Sequence, residues 1–422
     1  MEGRSKASEL APVKHAMIPT VSIICDFREE HWASMDQVAE TLWSELNRSH
    51  SRTLLARRIR PAMVRLPVAG RMPKLARAMQ RACNRYIYYP GYLRWTRLQS
   101  DIFHVIDHSY AHLVHELPAE RTVVTCHDVD AFRCLVEPDQ VPMSWLFRRI
   151  SRRILEGLQK AAAVVCVSQA TREALLKYGL TDPARTHVVH NGVDPAFWQG
   201  RDLAAELEVE RLLGPRDSRV AELLHVGSIA ARKRVDVLVR VMLNLKRLGE
   251  SVRLIRVGPA LPPDLQSLAG RLMTDGTIQT VPFLPRKVLG ALYQRATLLV
   301  QPSEAEGFGL PVAEAMACGL PVIASDLAVF HEIAGLAASY APVGDVPSWT
   351  ESVVALLDES RLRPEAFLGR RAAGFEQARR FSSRAHVGRI LEIYERVTGR
   401  GWIERTHESC HSLPGDLHTF RV

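Results

Sequence analysis

Glu306-Gly307-Phe308-Gly309-Leu310-Pro311-Val312-Ala313-Glu314-Ala315-Met316-Ala317-Cys318-Gly319-Leu320-Pro321-Val322-Ile323-Ala324 is the stretch on which the reading of this chain turns. Pro311 suits the start of a helix and Gly319 its C-terminal cap. A helix is therefore predicted between them, with Glu306 in the glycine-containing loop before it and Glu314 in its first turn. Such a helix aims free N–H groups and its positive end at one spot, a ready anion site. Gly307 and Gly309 let the backbone approach a ligand closely. Glu314 can accept hydrogen bonds from a vicinal diol such as a ribose, and Glu306 from sugar hydroxyls. A capping glutamate beside a tight turn is the plainer alternative.

Outward from that stretch, short β-branched runs alternate with helical patterns. Val21–Cys25, Ile102–Ile106, Thr122–Thr125, Ala163–Ser168 and Thr186–His190 read as strands of one sheet. Glu222–Val226, Val252–Val257, Thr277–Val281, Thr297–Gln301 and Pro321–Ala324 read as strands of a second. Strands separated by helices of this length imply parallel sheets with right-handed crossovers, hence an α/β fold of two doubly wound domains. Such sheets bind ligands beyond the carboxyl ends of their strands. The polar stretch Asp194–Arg219, punctuated by Pro195 and Gly214-Pro215, places the boundary between domains 1–200 and 201–374. Ser382 can cap a helix with Val387, Ile390, Leu391 and Tyr394 on one face, so residues 375–400 read as a final crossover helix and 401–422 as a tail.

The chain of 422 residues, 47% hydrophobic and 24% charged, has the composition of a globular protein. No stretch approaches the roughly 18 apolar residues needed to cross a bilayer. Ala16–Cys25 reads as an opening strand rather than a signal sequence. The seven cysteines include no Cys-x-x-Cys pair, which argues for reduced thiols and a cytoplasmic setting. The net charge of +9 is uneven. Residues 51–100 carry Arg52, Arg57, Arg58, Arg60, Arg65, Arg71, Lys74, Arg77, Arg81, Arg85, Arg94 and Arg97 with no Asp or Glu, interleaved with Tyr86, Tyr88, Tyr89, Tyr92 and Trp95. That segment suits an anionic membrane face. A solvated helical face is the rival reading, and nucleic acid, another polyanion, is set aside as a partner.

The Glu-x7-Glu segment, with Ala-x-Ala-x-Gly-x-Pro-Val after it, resembles glycosyltransferase family 4, whose fold is GT-B: two Rossmann-like domains facing a cleft, with a C-terminal helix returning to the first. His225-Val226-Gly227-Ser228 with Arg232-Lys233 resembles that family's phosphate-binding strand and loop. Val167-Ser168-Gln169-Ala170-Thr171, Val189-His190-Asn191-Gly192-Val193-Asp194 and Thr125-Cys126-His127-Asp128 resemble three N-terminal signatures. The resemblance runs from about Ile102 to Tyr394 and is most specific in the C-terminal half.

The resemblance implies a retaining hexosyltransferase acting on a nucleotide diphosphate sugar, with mannose slightly favoured, and a glycan or lipid-linked glycan acceptor at the inner membrane face. Arg232 and Lys233 would neutralise the leaving diphosphate. Gly227, Ser228, Phe283, Glu306, Gly307, Phe308, Gly309, Leu310 and Glu314 would line the donor site. His127 would reach the transferred sugar, its ring oriented by Asp128, although a histidine can also simply end a strand. Asp128-Val129-Asp130 mimics an Asp-x-Asp metal motif, but two cations already serve the phosphates, so neither metal nor other cofactor is expected. The sequence departs from the family's pattern in two places. Ser228 stands where many members carry arginine, and the first strand leads into Asp26–Asp36 without the usual glycines. His31, Trp32 and Ser34 there are candidate acceptor contacts. The rivals are a nucleotide-sugar epimerase and a non-catalytic partner subunit of the same fold.

Overall fold

The computed structural model describes residues 18–65, 74–198 and 200–402. Twelve short strands form two six-stranded sheets. The first contains β1 (Thr20–Ile24), β2 (Leu55–Ile59), β3 (Ile102–Val105), β4 (Thr122–Cys126), β5 (Ala163–Cys166) and β6 (Thr186–Val188), in the order β2-β1-β3-β4-β5-β6. The second contains β7 (Ala221–Val226), β8 (Val252–Val257), β9 (Ile278–Val281), β10 (Leu298–Gln301), β11 (Val322–Ser325) and β12 (Ala338–Ala341), in the order β12-β11-β10-β7-β8-β9. Every pairing is parallel. The strand sequences explain this. Runs such as Val123-Val124 and Leu298-Leu299-Val300 are buried on both faces, as strands covered by helices on either side must be. The order reverses between β1 and β3 in one sheet and between β7 and β10 in the other, and both points open a crevice at the strands' carboxyl ends.

Two strands escaped the sequence reading. Leu55–Ile59 lies within the basic segment, and its arginines hide a β pattern in which only Ala56 is buried. As an edge strand β2 can leave Arg57 and Arg58 outside. The acids missing from 51–100 come from the helix Ala33–His50 instead: Arg58 pairs with Glu40, and Arg60 lies 2.6 Å from Asp36. The alanine-rich β12 pairs only with β11. The aromatics of the basic segment also divide. Tyr89 is core, its hydroxyl donating to the Cys25 carbonyl at 2.9 Å, whereas Ile87 and Trp95 are 70% and 83% exposed. Arg71, and the side chain of Lys74, lie outside the described residues.

The closing helix, Ser383–Thr398, ties the ends of the chain together. Ser382 caps it by accepting from the Ala385 N–H at 3.2 Å. Val387, Ile390, Leu391 and Tyr394 pack into the N-terminal core with Val21, Leu42 and Leu46. Tyr394 Oη meets His104 Nδ1 at 2.6 Å, and Ser383 donates to Glu45 at 2.9 Å. The preceding helix, Pro364–Ala378, packs instead against Leu310–Ala317 in the other half. A core side chain supplied from the far end of the chain should therefore support the first sheet. Ile390→Ala is expected to destabilise it by roughly 2–5 kcal/mol, read as a lowered urea midpoint in a probe of the N-terminal half.

Candidate active site

At the crevice of the second sheet, β7 runs out at Gly227 and β10 at Gln301. Arg232 and Lys233 follow in a 3-10 turn, Ala231–Lys233, ended by Arg234 in the left-handed region at φ 47°. Arg234 is held there by Asp236 at 3.0 Å and Glu304 at 3.5 Å. The backbone amide of Glu304 donates to the Arg232 carbonyl at 2.8 Å, fastening the two loops together. Lys233 Nζ lies 2.5 Å from Glu306, and Ser303 donates to the same carboxylate at 2.8 Å. Burial alone would raise the Glu306 pKa; Lys233, then Arg232 and the Ser303 hydroxyl, reverse this and hold it below the usual range. Arg232 faces three carboxylates: Asp130 at 3.7 Å, Glu306 at 3.9 Å and Asp128 at 4.0 Å. Phe283, after β9, is 49% exposed.

The helix between the two glutamates spans Leu310–Ala317, with Pro311 in its first turn and Gly309 at its N-cap at φ 93°. Gly319, at φ 69°, ends it as expected, its N–H bonding to the Met316 carbonyl at 2.9 Å. Two expectations fail here. Glu314 lies one residue beyond the first turn, and it already has partners: Tyr293 donates to it at 2.9 Å and Gln37 from the opposite half also donates to it. Phe308 is 4% exposed and packs edge-on against Phe381, because its loop turns that ring into the core while the backbone faces the crevice.

The first sheet brings up His127 and Asp128 after β4, Asp107 and His108 after β3, and Asp26 after β1. His127 Nε2 meets the Ile106 carbonyl at 2.8 Å, and burial keeps its pKa below the usual value. Asp128 does not orient this ring, contrary to expectation. It pairs with His108 Nε2 at 3.4 Å and with Arg232, because the strand end turns its side chain toward the neighbouring loop. His108 Nδ1 lies 3.3 Å from Asp107. His108 is raised: burial opposes its charge, but Asp128 and Asp107 outweigh burial. Asp26 is buried, and burial with the nearby Asp107 pushes its carboxyl well upward.

The halves meet directly. A Cβ on Gly307 would sit 1.7 Å from the His127 carbonyl oxygen. Ser168 donates to the Gly307 carbonyl at 2.7 Å, and Thr171 does so at 3.3 Å. Glu332 accepts from the Gln169 N–H at 2.7 Å and lies 2.6 Å from His190, and Arg286 pairs with Asp194. Between the halves, Asp128, Asp130, Thr171, Arg232 and Glu306 line a cavity of about 130 Å³. His31, Trp32 and Ser34 are exposed at the start of the helix Ala33–His50, whose Gln37 crosses to Glu314. Sequence reasoning missed Gln37, His108 and Tyr293; each acts through a long-range contact that no local motif announces.

Burial raises the Glu314 carboxyl from 4.5 to about 7. Its folded pKa exceeds its unfolded one, so the folded state binds the extra proton and loses stability as pH rises from 4.5 to 7. Against Glu314→Gln, the wild type should lose up to about 3 kcal/mol over that window. Urea unfolding of both proteins at pH 4.5, 5.5 and 7 checks this, and parallel curves would contradict it.

Comparison with known proteins fits this geometry. The family described as Glycosyltransferase Family 4 matches residues 36–197, and that described as Glycosyl transferases group 1 matches residues 221–359. O-antigen chain mannosyltransferase B of Escherichia coli is 30% identical over 288 residues, covering 67% of this chain and 72% of that protein. D-inositol 3-phosphate glycosyltransferase of Segniliparus rotundus is 32% identical over 258 residues, 58% of this chain, which spans little more than half (55%) of that relative. Among solved structures, Anabaena Alr3699/HepE in complex with UDP and glucose superposes with a TM-score of 0.66 at 16% identity, over 89% of this chain and 98% of that one. WaaG, a glycosyltransferase involved in lipopolysaccharide biosynthesis, gives 0.64 at 16% identity, over 90% and 100%. These likenesses establish the GT-B fold, and with the sequence matches they place the chain in glycosyltransferase family 4.

Proposed function

We propose that this chain transfers a hexose, mannose being favoured, from a nucleotide diphosphate sugar to a glycan or lipid-linked glycan acceptor, with retention at the anomeric carbon and without a bound metal. The observation that carries this is the convergence of Arg232, Lys233 and Glu306 at the β7/β10 crevice, beside the N-terminus of Leu310–Ala317. That helix end has no side-chain cap; Pro311 carries no N–H and the Val312 N–H goes to the Gly309 carbonyl, so the Leu310 N–H and the positive helix end are what it offers an anion. The similarity to an O-antigen mannosyltransferase supports the sugar.

On this reading Arg232 and Lys233 take the diphosphate, and Glu306, released from Lys233, accepts from sugar hydroxyls. Glu314 receives the ribose diol. His127, neutral through burial and anchored at Nε2 by Ile106, offers Nδ1 as an acceptor to a hydroxyl near the anomeric carbon. The anomeric carbon–phosphate oxygen bond breaks while the acceptor oxygen bonds to the same face, and the acceptor proton passes to the departing phosphate. No protein nucleophile is needed, and Glu306 serves as a hydrogen-bond acceptor for the sugar. Positioned cations acting where charge develops typically supply the largest catalytic effect, about 10²–10³-fold each.

A membrane-facing surface accompanies this site. Trp95 and Trp145 are 83% and 73% exposed, on the helices Tyr89–Thr96 and Trp145–Lys160. Glu116 links the two helices, 2.7 Å from Arg94 and 3.7 Å from Arg153. Arg148, Arg149 and Arg152 continue the positive face. Among the described residues no helix is long and apolar enough to cross a membrane, so contact here would be with its surface.

Two measurements test the proposal. In thermal shift without metal, one of UDP, GDP or ADP at about 100 times its dissociation constant should stabilise the wild type by about 2.7 kcal/mol, and Lys233→Ala should abolish the effect. Stabilisation by none of the three overturns the donor reading. For the surface, Trp95→Ala with Trp145→Ala should weaken co-sedimentation with phosphatidylglycerol vesicles about tenfold or more, the scale of one buried aromatic side chain. Equal sedimentation of the double variant removes the membrane contact.

A further inference from the structure

Behind the loop that carries Gly227, the second sheet holds a charge with no counter-charge. Arg256, on β8, is 0% exposed. Its cross-strand neighbour on β7 is His225, also 0% exposed, and the two share one face at the carboxyl ends of their strands. The guanidinium donates to the Gly227 carbonyl at 3.2 Å and to the Pro259 carbonyl, and its Nε finds no partner. Both nitrogens of His225 are likewise without a partner. No carboxylate pairs with Arg256 among the described residues, although it is the one arginine or lysine among them that is fully buried. Burial lowers Arg256 only to about 10, so it remains a cation at neutral pH. Burial, with Arg256 and Lys233 nearby, keeps His225 neutral.

A buried cation facing only carbonyls and a neutral imidazole is costly, and an isolated charge in a protein interior is normally paired. The packing around it is also tight. A Cβ on Gly258 would lie 2.1 Å from the Gly227 carbonyl oxygen, so the β8 loop presses directly on the turn that Arg256 braces. The missing counter-charge and the brace point to the same place, the far side of Gly227.

We propose that Arg256 favours the diphosphate of the donor through its charge: its buried guanidinium, held by the Gly227 and Pro259 carbonyls, supplies a third positive charge beneath the site, which the bound diphosphate completes as counter-ion. This rests on the donor reading above. Arg232 and Lys233 meet the phosphates from the solvent side and are already neutralised by Glu306, Asp128 and Asp130 when the site is empty. Arg256 has no such substitute, so its attraction for an anion is undiminished in the empty protein.

The test compares UDP, GDP and ADP with uridine, guanosine and adenosine, by calorimetry on the full chain. Arg256→Gln keeps a donor for the Gly227 carbonyl and removes the charge. It is expected to bind the diphosphate about tenfold or more weakly and the matching nucleoside unchanged. Arg256→Lys, which keeps the charge and loses the two-carbonyl brace, should hold diphosphate affinity within about threefold. Equal diphosphate affinity in wild type and Arg256→Gln overturns the proposal, and so does an equal loss for nucleoside and diphosphate, which would mark a structural brace alone. Should Arg256→Gln not fold, a tenfold or greater loss in Arg256→Lys overturns it. If no diphosphate binds the wild type, the donor reading has failed, and this inference with it; the wild-type titration separates the two failures.

Discussion

The contact on which the cleft depends is steric: Gly307 lies against the His127 carbonyl so closely that a Cβ there would sit 1.7 Å from the oxygen. Only glycine allows it, and the two residues belong to different halves of the chain. Once that approach is made, Ser168 and Thr171 can reach the Gly307 carbonyl, and Glu306, the residue before it, comes within ion-pair range of Arg232. Arg232 in turn meets Asp128, the residue after His127. The proximity of one backbone to another thus sets the positions of the charges on both sides.

Those charges alternate in sign across the cleft. Asp107, His108, Asp128, Arg232, Glu306 and Lys233 form a chain in which each member touches the next. The directions of their pKa shifts follow from this chain. Burial works against every charged form, yet Asp128 and Glu306 are held down and His108 is held up by neighbours of opposite sign. Removing one member leaves its partners buried and uncompensated, which costs more than the lost pair contributed. The network is therefore one unit, and it ties the carboxyl ends of both sheets to each other.

What could be read in the sequence was what local backbone chemistry dictates. Pro311 and Gly319 bound a helix wherever they stand at that spacing, and Ser382 before an apolar stripe caps one. The ten strands read from β-branched runs are all present, with ends that match or shift by at most two residues. Strand β2 was hidden because at the sheet's edge both faces are open enough to leave the consecutive Arg57 and Arg58 exposed, which erases the apolar signal. Phe308 shows a different limit: spacing places a residue in a loop but not on the inner or outer side of it. Asp128 and Gln37 show a third, since their partners lie 104 and 277 positions away and nothing local specifies them. Arg256 was passed over because a single arginine in a strand reads as a surface residue until its neighbours are known.

Glu314 shows how the closed arrangement stays compatible with a ligand. Its carboxylate is satisfied in the empty protein by Tyr293 from its own half and by Gln37 from the other. A buried carboxylate left without partners would cost the full desolvation of the group, whereas exchanging one hydrogen-bond partner for another is worth only about 1 kcal/mol net. On the proposed function, a ribose diol entering the site replaces Gln37 rather than filling a vacancy. The exchange is then nearly neutral at that residue, and the free energy of closure around the donor falls to the phosphates and their cations. Gln37 lies on the helix that begins beside His31, Trp32 and Ser34, so on the proposed function the exchange also gives up one contact between the two halves.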